Sequence, residues 1–485
     1  MGKARKSTFE RLTAMNRKQR RDLRRQLCSA DPGLTIVHPN AAGIDVGNES
    51  HYVAIPADRD PAPVQEFGCW TADLVRMCEW LQDRGIETVA MQATGVYWIA
   101  LYDQLTQHGI EVVVVNAHHT NNVPGRKTDV QEAQWLMKLH AYGLLSNSFQ
   151  LQGEMEKVRT IWRLRNRHVK EAAKAVQHMQ KALTKMNIQI ANVISDISGV
   201  TGQTIIGAIL AGERDAYKLA DLKHERVRAS REEIARSLEG NWREDVVFEL
   251  QQAFDAHRFA QQQMRECDEQ LEKYLERLPA RNPEDGLAEG ESLGKKKLAR
   301  LRKPRGNAPA FDLKNSLRRI AGVDLTSIDG IDVMTAQTIL AEVGTDLSAF
   351  RDENHFASWL GLSPSKDISG GKVIRSGTRK VQNRVAMSLR MAATTLRLSD
   401  SYLGARYRHL CRKLPAKASA VKAMARYLAV LVYRMLTKGQ AWVDGGAARF
   451  EQRREQWEMV GLRKRAAARG LMLVSVEAAT EGSRI

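Results

Sequence analysis

Asp45 stands at the centre of Ala41 to Asn48, AAGIDVGN, behind the apolar run Leu34-Thr-Ile-Val37. A carboxylate in such a run is costly to bury unless it is paired or holds a cation. The competing reading is an Asp that caps a turn before Gly47. Asp129 and Glu132 lie three apart in a stretch of helical spacing, so both project from one face of a helix. Carboxylates gathered together repel one another unless a cation is present. Hard oxygen donors suit Mg2+, and two such ions about 3.5–4 Å apart activate a nucleophile and stabilise the leaving oxygen in phosphoryl transfer. Gln92 ends the short apolar run Thr88-Val-Ala-Met91 and offers a carbonyl oxygen without negative charge. It would weaken cation binding without abolishing it. The blander readings are a helix N-cap for Asp129, a first-turn dipole partner for Glu132, and a strand end for Gln92 before Ala93-Thr-Gly95.

A second constellation is Ile368-Ser-Gly-Gly-Lys372, with Arg375, Arg379 and Lys380 close behind. Ser369, beside two glycines and several cations, can approach a phosphate closely, and the cations would stabilise charge that develops during attack. The alternative is a plain turn serine. Ser363, Ser365 and Ser376 are neighbours of the same type. Arg126 and Lys127, in the basic loop His118 to Lys127, join Lys372, Arg375, Arg379 and Lys380 as candidates for contact with a nucleic-acid backbone.

The elements that must position the acids fall within residues 33–148. After Asp45, His51-Tyr-Val-Ala-Ile55 and Val64-Gln-Glu-Phe67 read as second and third strands. Thr71 to Gly85 has helical spacing, with Leu74, Met77, Trp80 and Leu81 on one face. Thr88 to Gln92 is a buried strand, Val96 to His108 a helix, Glu111-Val-Val-Val-Val115 another buried strand, and Asp129 to Tyr142 a helix. Three strands, helix, strand, helix, strand, helix is the order of a ribonuclease-H-like fold, an α/β domain. In such a sheet the first and fourth strands are neighbours, which would set Asp45 beside position 92.

Residues 149–279 read as helical. Arg163, Arg165, Arg167 and Lys170 surround Trp162, either as a charged helix face or as a stripe that lies on nucleic acid. Phe248 to Leu278 reads as a long amphipathic helix able to pair in a coiled coil, within one subunit or between two. Residues 280–314 form a linker, acidic at first and then basic from Lys295 to Arg305. Residues 315–444 make a second, mostly α unit. In it, Leu325 to Gly344 places Gly330 in a tight turn between two helical stretches and resembles a helix–hairpin–helix, whose turn amides usually cradle a phosphate. Residues 445–485 are a basic helical tail with Trp457 and Met459 as apolar anchors.

The balance of 74 basic against 56 acidic residues gives a net charge of +18, which points to polyanions, and nucleic acid above all. Residues 1–32 concentrate that excess: ten of the first 26 residues are Lys or Arg, opposed by Glu10 and Asp22, either as a solvated arm or as one lying on a phosphate backbone. No apolar run of 18 residues is present, so no membrane span is expected. The basic amino terminus and the five scattered cysteines, with no CxxC pair, point to a cytoplasmic protein with free thiols.

GIDVG, VAMQATGVYW, NVPGRKTDVQEAQWL and LHAYGLL resemble the bridge-RNA-guided DEDD transposases, the insertion-sequence one-ten family in its eleven-eleven subgroup. The resemblance runs over nearly the whole chain and implies a RuvC-like first domain. It places the family's first Asp on Asp45, its Glu on Gln92 and its last two acids on Asp129 and Glu132. The chain therefore departs from D-E-D-D at two of the four positions. The resemblance makes Ser369 the nucleophile that joins to DNA, and implies Mg2+ on Asp45, Asp129 and Glu132. It further implies donor and target DNA, a structured guide RNA, and a homo-oligomer, dimer or tetramer, joined through the long helices. The residues leave two other readings open: a metal-dependent, junction-resolvase-like nuclease with a structural Ser369, and a non-catalytic nucleic-acid-binding protein.

Overall fold

The computed structural model describes residues 35–93, 95–116, 128–151, 153–281, 307–370, 372–378, 381–439 and 445–473. It divides into two compact units, residues 1–150 and 151–485. The basic arm, the loop with Arg126 and Lys127, the run Lys295 to Arg305, and Arg379 and Lys380 lie outside the described residues.

The first unit is built on a mixed sheet of five strands in the order β3-β2-β1-β4-β5. Its elements are β1 (Ala41–Val46), β2 (Ser50–Ala54), β3 (Val64–Gly68), α1 (Thr71–Asp83), β4 (Thr88–Gln92), α2 (Trp98–Gln107), β5 (Glu111–Val115) and α3 (Asp129–Ala141). β1, β2 and β3 form an antiparallel meander, while β1, β4 and β5 run parallel. This is the arrangement expected of a ribonuclease-H-like domain. The run before β1 is not part of it: Ile36 and Val37 are exposed, and the backbone N–H groups of Val37 and His38 both donate to the Ala141 carbonyl at the end of α3.

Side chains alternate across a strand, and that alternation decides what each face carries. Ala42, Ile44 and Val46 join Val53, Phe67, Val89 and Met91 in one core with α1 and α2. Gly43 and Asp45 point the other way, toward α3. Gly43 is required there, because a Cβ on it would stand 2.2 Å from the Met137 nitrogen and 2.3 Å from the Ala133 oxygen. The helix backbone thus lies directly on the strand. His140 fixes the far end of the same face, its Nε2 2.9 Å from the Thr88 hydroxyl.

In the second unit, α4 (Glu154–Lys185) runs antiparallel to α8 (Glu244–Arg277). At one end of this pair a small helical cap, α5 (Val200–Leu210), α6 (Ala216–Ala220) and α7 (Arg231–Leu238), closes over an apolar core that it shares with the end of α4 and the start of α8. The long amphipathic helix at residues 248–278 is therefore paired inside the subunit. Its Phe254, Met264, Cys267 and Leu271 are buried, whereas Phe248 and Phe259 face outward. Of the two readings of the basic residues on α4, the nucleic-acid stripe does not hold for Arg163 and Arg165. Arg165 is fully buried and forms a two-pronged ion pair with Asp268, and Arg163 is paired with Glu342 at 2.6 Å. A buried guanidinium needs its partner, so Arg165 is not open to nucleic acid.

The chain continues through α9 (Leu313–Ala321), α10 (Val333–Val343), α11 (Glu353–Trp359), a hairpin of β6 (Pro364–Ser369) and β7 (Lys372–Thr378), α12 (Arg384–Thr395), α13 (Tyr402–Lys413), α14 (Lys417–Lys438) and α15 (Gly446–Ala467). Of the two helical stretches expected around the Gly330 turn, the second is α10 and the first is shorter than expected. α9 already ends in the left-handed cap Gly322, and Leu325–Ser327 is a single 3-10 turn. Gly330, at φ 87°, sits where a Cβ would come 2.7 Å from the Ala392 carbonyl oxygen, so its smallness serves packing on α12. The N–H groups that begin α10 are met by Asp332, whose carboxylate accepts from Thr335 at 2.8 Å. On α15 only Phe450 is buried, and Trp457 and Met459 are exposed rather than anchoring.

Candidate functional site

The register sets the candidate acids in place. Ile44 is opposite Met91 in the parallel β1–β4 pair, so the next step along both strands puts Asp45 beside Gln92. On the other side of β1, Asp45 is opposite Tyr52, and Tyr52 is opposite Glu66. Residues directly opposite one another share a face. Gln92, Asp45, Tyr52 and Glu66 therefore form one row across four strands, on the side covered by α3.

The position of α3 over this row follows from three contacts. Its last turn meets residues 37–38, its middle meets Gly43, and so its first turn reaches Asp45. Thr128, not Asp129, is the N-cap: its hydroxyl accepts from the Gln131 N–H at 3.3 Å. Asp129 and Glu132 are thereby free of the capping role and sit in the first turn, where the helix dipole favours negative charge. Glu132 reaches across to β4. The Gln92 amide nitrogen donates to its Oε1 at 2.6 Å, and Gln92 is only 5% exposed. Asp129 lies toward β2, where its charge acts on Tyr52. The hydrogen bond from Tyr52 to Glu66 is the main cause that holds the phenol above its ordinary range, followed by burial and by the charges of Glu66 and Asp129. Glu66 in turn is held below the usual carboxylate range by hydrogen bonds from Ser50 and Tyr52.

Asp45, Gln92, Asp129 and Glu132, distant in sequence, are thus brought to one face of the sheet. Tyr52 and Glu66 complete the row without having been expected from sequence. Only strand pairing reveals them, since each by itself reads as an ordinary residue of a half-buried strand. The donors are all oxygens and fit a hard divalent cation in kind. Among the described residues, no three His, Cys, Asp or Glu side chains stand together in ligating geometry.

Ser369 is the last residue of β6 and is paired with Lys372, the first of β7. Two glycines separate them, and Gly370 is left-handed at φ 56° with open space around its Cα. A two-residue turn of this kind closes a hairpin most readily with glycine, a signal legible in SGGK. The register slips between Asp367 and Ile368, a bulge that re-aims the residues beyond it. Lys372 is exposed, the backbone of Arg375 lies opposite that of Asp367 in the ladder, and the base of the hairpin is tied to α14 by Lys422, whose ammonium donates to Thr378 at 2.9 Å. Among the described residues no helix is long and apolar enough to cross a membrane.

A family model described as a transposase, the DEDD type of IS110, matches residues 42–188. A second, described as the transposase IS116/IS110/IS902 family, matches residues 324–408. No curated protein matches the chain. The first match covers β1 through α3 with all four candidate acid positions, and a DEDD transposase domain implies a divalent-metal-dependent active site of nuclease type. The second covers the serine hairpin. With the two models matched in chain order, the chain carries IS110-family transposase domains, which support a DNA transposase or recombinase of insertion elements.

Proposed function

We propose that this transposase belongs to the eleven-eleven subgroup and is guided by a structured RNA encoded by its element. In this reading it cuts and rejoins donor and target DNA with an acidic, RuvC-like Mg2+ site and a serine nucleophile. The observation that carries the reading is the convergence of Asp45, Gln92, Asp129 and Glu132, from β1, β4 and α3, on one face of the sheet. Mg2+ bound there would neutralise phosphate charge and polarise the scissile phosphorus.

The chain's own residues have separate tasks. Asp45 and Asp129 would hold the ion. Ser369 attacks: its hydroxyl oxygen forms a bond to phosphorus, one P–O ester bond to the DNA strand breaks, the hydroxyl proton leaves, and the departing strand oxygen takes up a proton. The number of phosphoester bonds is unchanged, so the reverse step, with a different strand oxygen attacking, rejoins DNA without an energy source. Lys372, Arg375, Arg379 and Lys380 would hold the phosphate and its developing charge, with Arg126 and Lys127 on the backbone nearby. RNA–DNA pairing would select sequence while the protein reads backbone and shape. A dimer or tetramer would bring the acids of one subunit to the serine of another.

The test is a denaturing gel of the full chain with DNA bearing the element's ends, Mg2+ and the RNA that co-purifies with it. A protein–DNA adduct that survives denaturation is expected, and Ser369→Ala should abolish it. Cutting that persists undiminished in Ser369→Ala would make the protein a metal-dependent nuclease instead.

A further inference from the structure

The acidic face is not evenly built, and the unevenness has a consequence for how many ions it takes. On the β4 side, position 92 carries an amide whose nitrogen donates to Glu132 at 2.6 Å, inside the fold, where Gln92 is 5% exposed. Had both positions been carboxylates, two negative charges would meet at hydrogen-bonding distance, and only a cation or a proton between them would make that tolerable. The amide supplies the positive end itself. Glu132 is thereby engaged by protein, and the amide oxygen of Gln92 is turned away from it. On the β2 side, Asp45 faces the first turn of α3, where Thr128 does the capping and leaves Asp129 available.

We propose that this chain holds one divalent cation, between Asp45 and Asp129, and that the Gln92 amide occupies the place of a second, so that Glu132 is a structural partner of Gln92 and not a metal ligand. The inference rests on the metal reading given under Proposed function, and narrows it. It assigns Gln92 a positioning role: it fixes Glu132 and the first turn of α3 whether or not an ion is bound.

Mn2+ alone is the probe, titrated into the full chain, with free Mn2+ counted by electron paramagnetic resonance. One ion per wild-type chain is expected. Asp45→Asn and Asp129→Asn should weaken binding about tenfold or more. Glu132→Gln, which keeps the hydrogen bond to Gln92 and so keeps the fold, should leave the affinity unchanged. Gln92→Glu should bind two ions, and its metal-free form should melt lower than wild type and recover on adding Mn2+. Two ions on the wild-type chain, or a Glu132→Gln variant as defective as Asp45→Asn, would overturn the single-ion site while leaving the metal reading intact. Absence of Mn2+ binding in both wild type and Gln92→Glu would overturn the metal reading and this inference together.

Discussion

Individual residues under α3 connect its seating to pH. His140 is buried, stacked on His38 with ring centroids 4.9 Å apart, and bonded through Nε2 to Thr88. Burial first, and the charge of His38 second, push its imidazole down to about 4. The folded state therefore keeps His140 neutral where the unfolded chain, titrating near 6.5, takes up a proton. Its contribution is complete above pH 6.5 and is lost as pH falls toward about 4, amounting to roughly 3 kcal/mol at the acid end. Urea unfolding at a series of pH values across that window should show the decline, and His140→Gln should flatten it relative to wild type. An identical slope in the two proteins would refute the assignment. His140 was not singled out in the sequence, because a histidine near the end of an amphipathic helix carries no mark of what it will touch. Asp45 was, because an acid between apolar neighbours is anomalous at the level of one strand. Tyr52 and Glu66 became visible only when register placed them beside it.

At the scale of elements, the seating of α3 on β1 depends on one missing side chain. A Cβ at Gly43 would meet backbone atoms of Met137 and Ala133 at 2.2 and 2.3 Å, and backbone cannot swing aside as a side-chain tip can. Gly43→Ala must lift the helix, at a cost of about 1–3 kcal/mol or more. It should also displace Asp129 and Glu132, lowering Mn2+ affinity while the protein stays folded. Gly207→Ala is the control: it lies inside α5 with open space around the added Cβ, and should stabilise by about 0.5–1 kcal/mol. Equal effects of the two substitutions in thermal unfolding would contradict the close approach. The strands and helices of this unit were readable because each has one buried face and a clear period. The β6–β7 hairpin was not, for a physical reason. Ile368, Val373 and Ile374 are all exposed, so no inward period-2 pattern exists, and the only local signal was the glycine pair.

Over the whole molecule, a net charge of +18 says that a polyanion is bound but not by which face, because part of the basic complement is consumed in internal pairing. Arg165 shows how. Its guanidinium is buried between α4 and α8 on Asp268 and leans on Trp162, whose indole N–H donates to Thr338 on α10 at 3.1 Å, one turn from the Arg163–Glu342 pair. Three helices from distant parts of the chain therefore share one polar junction inside residues 151–485. Removing one partner leaves a buried, uncompensated charge. Asp268→Ala should destabilise this unit by about 3–5 kcal/mol, whereas Glu249→Ala, which breaks an exposed pair with Lys185, should cost about 1 kcal/mol or less. Hydrogen exchange is the measurement that checks the argument. In Asp268→Ala, amide protection should fall together in 154–185, 244–277 and 333–343, and strands 41–46 and 88–92 should keep theirs. Loss confined to the neighbourhood of residue 268 would mean that the long helices and the segment ahead of the serine hairpin do not unfold as one. The salt dependence of nucleic-acid affinity supplies the converse. An arginine already committed to a buried aspartate releases no counterions on binding, so a folded Arg165→Met, Asp268→Leu double variant should keep the wild-type salt slope.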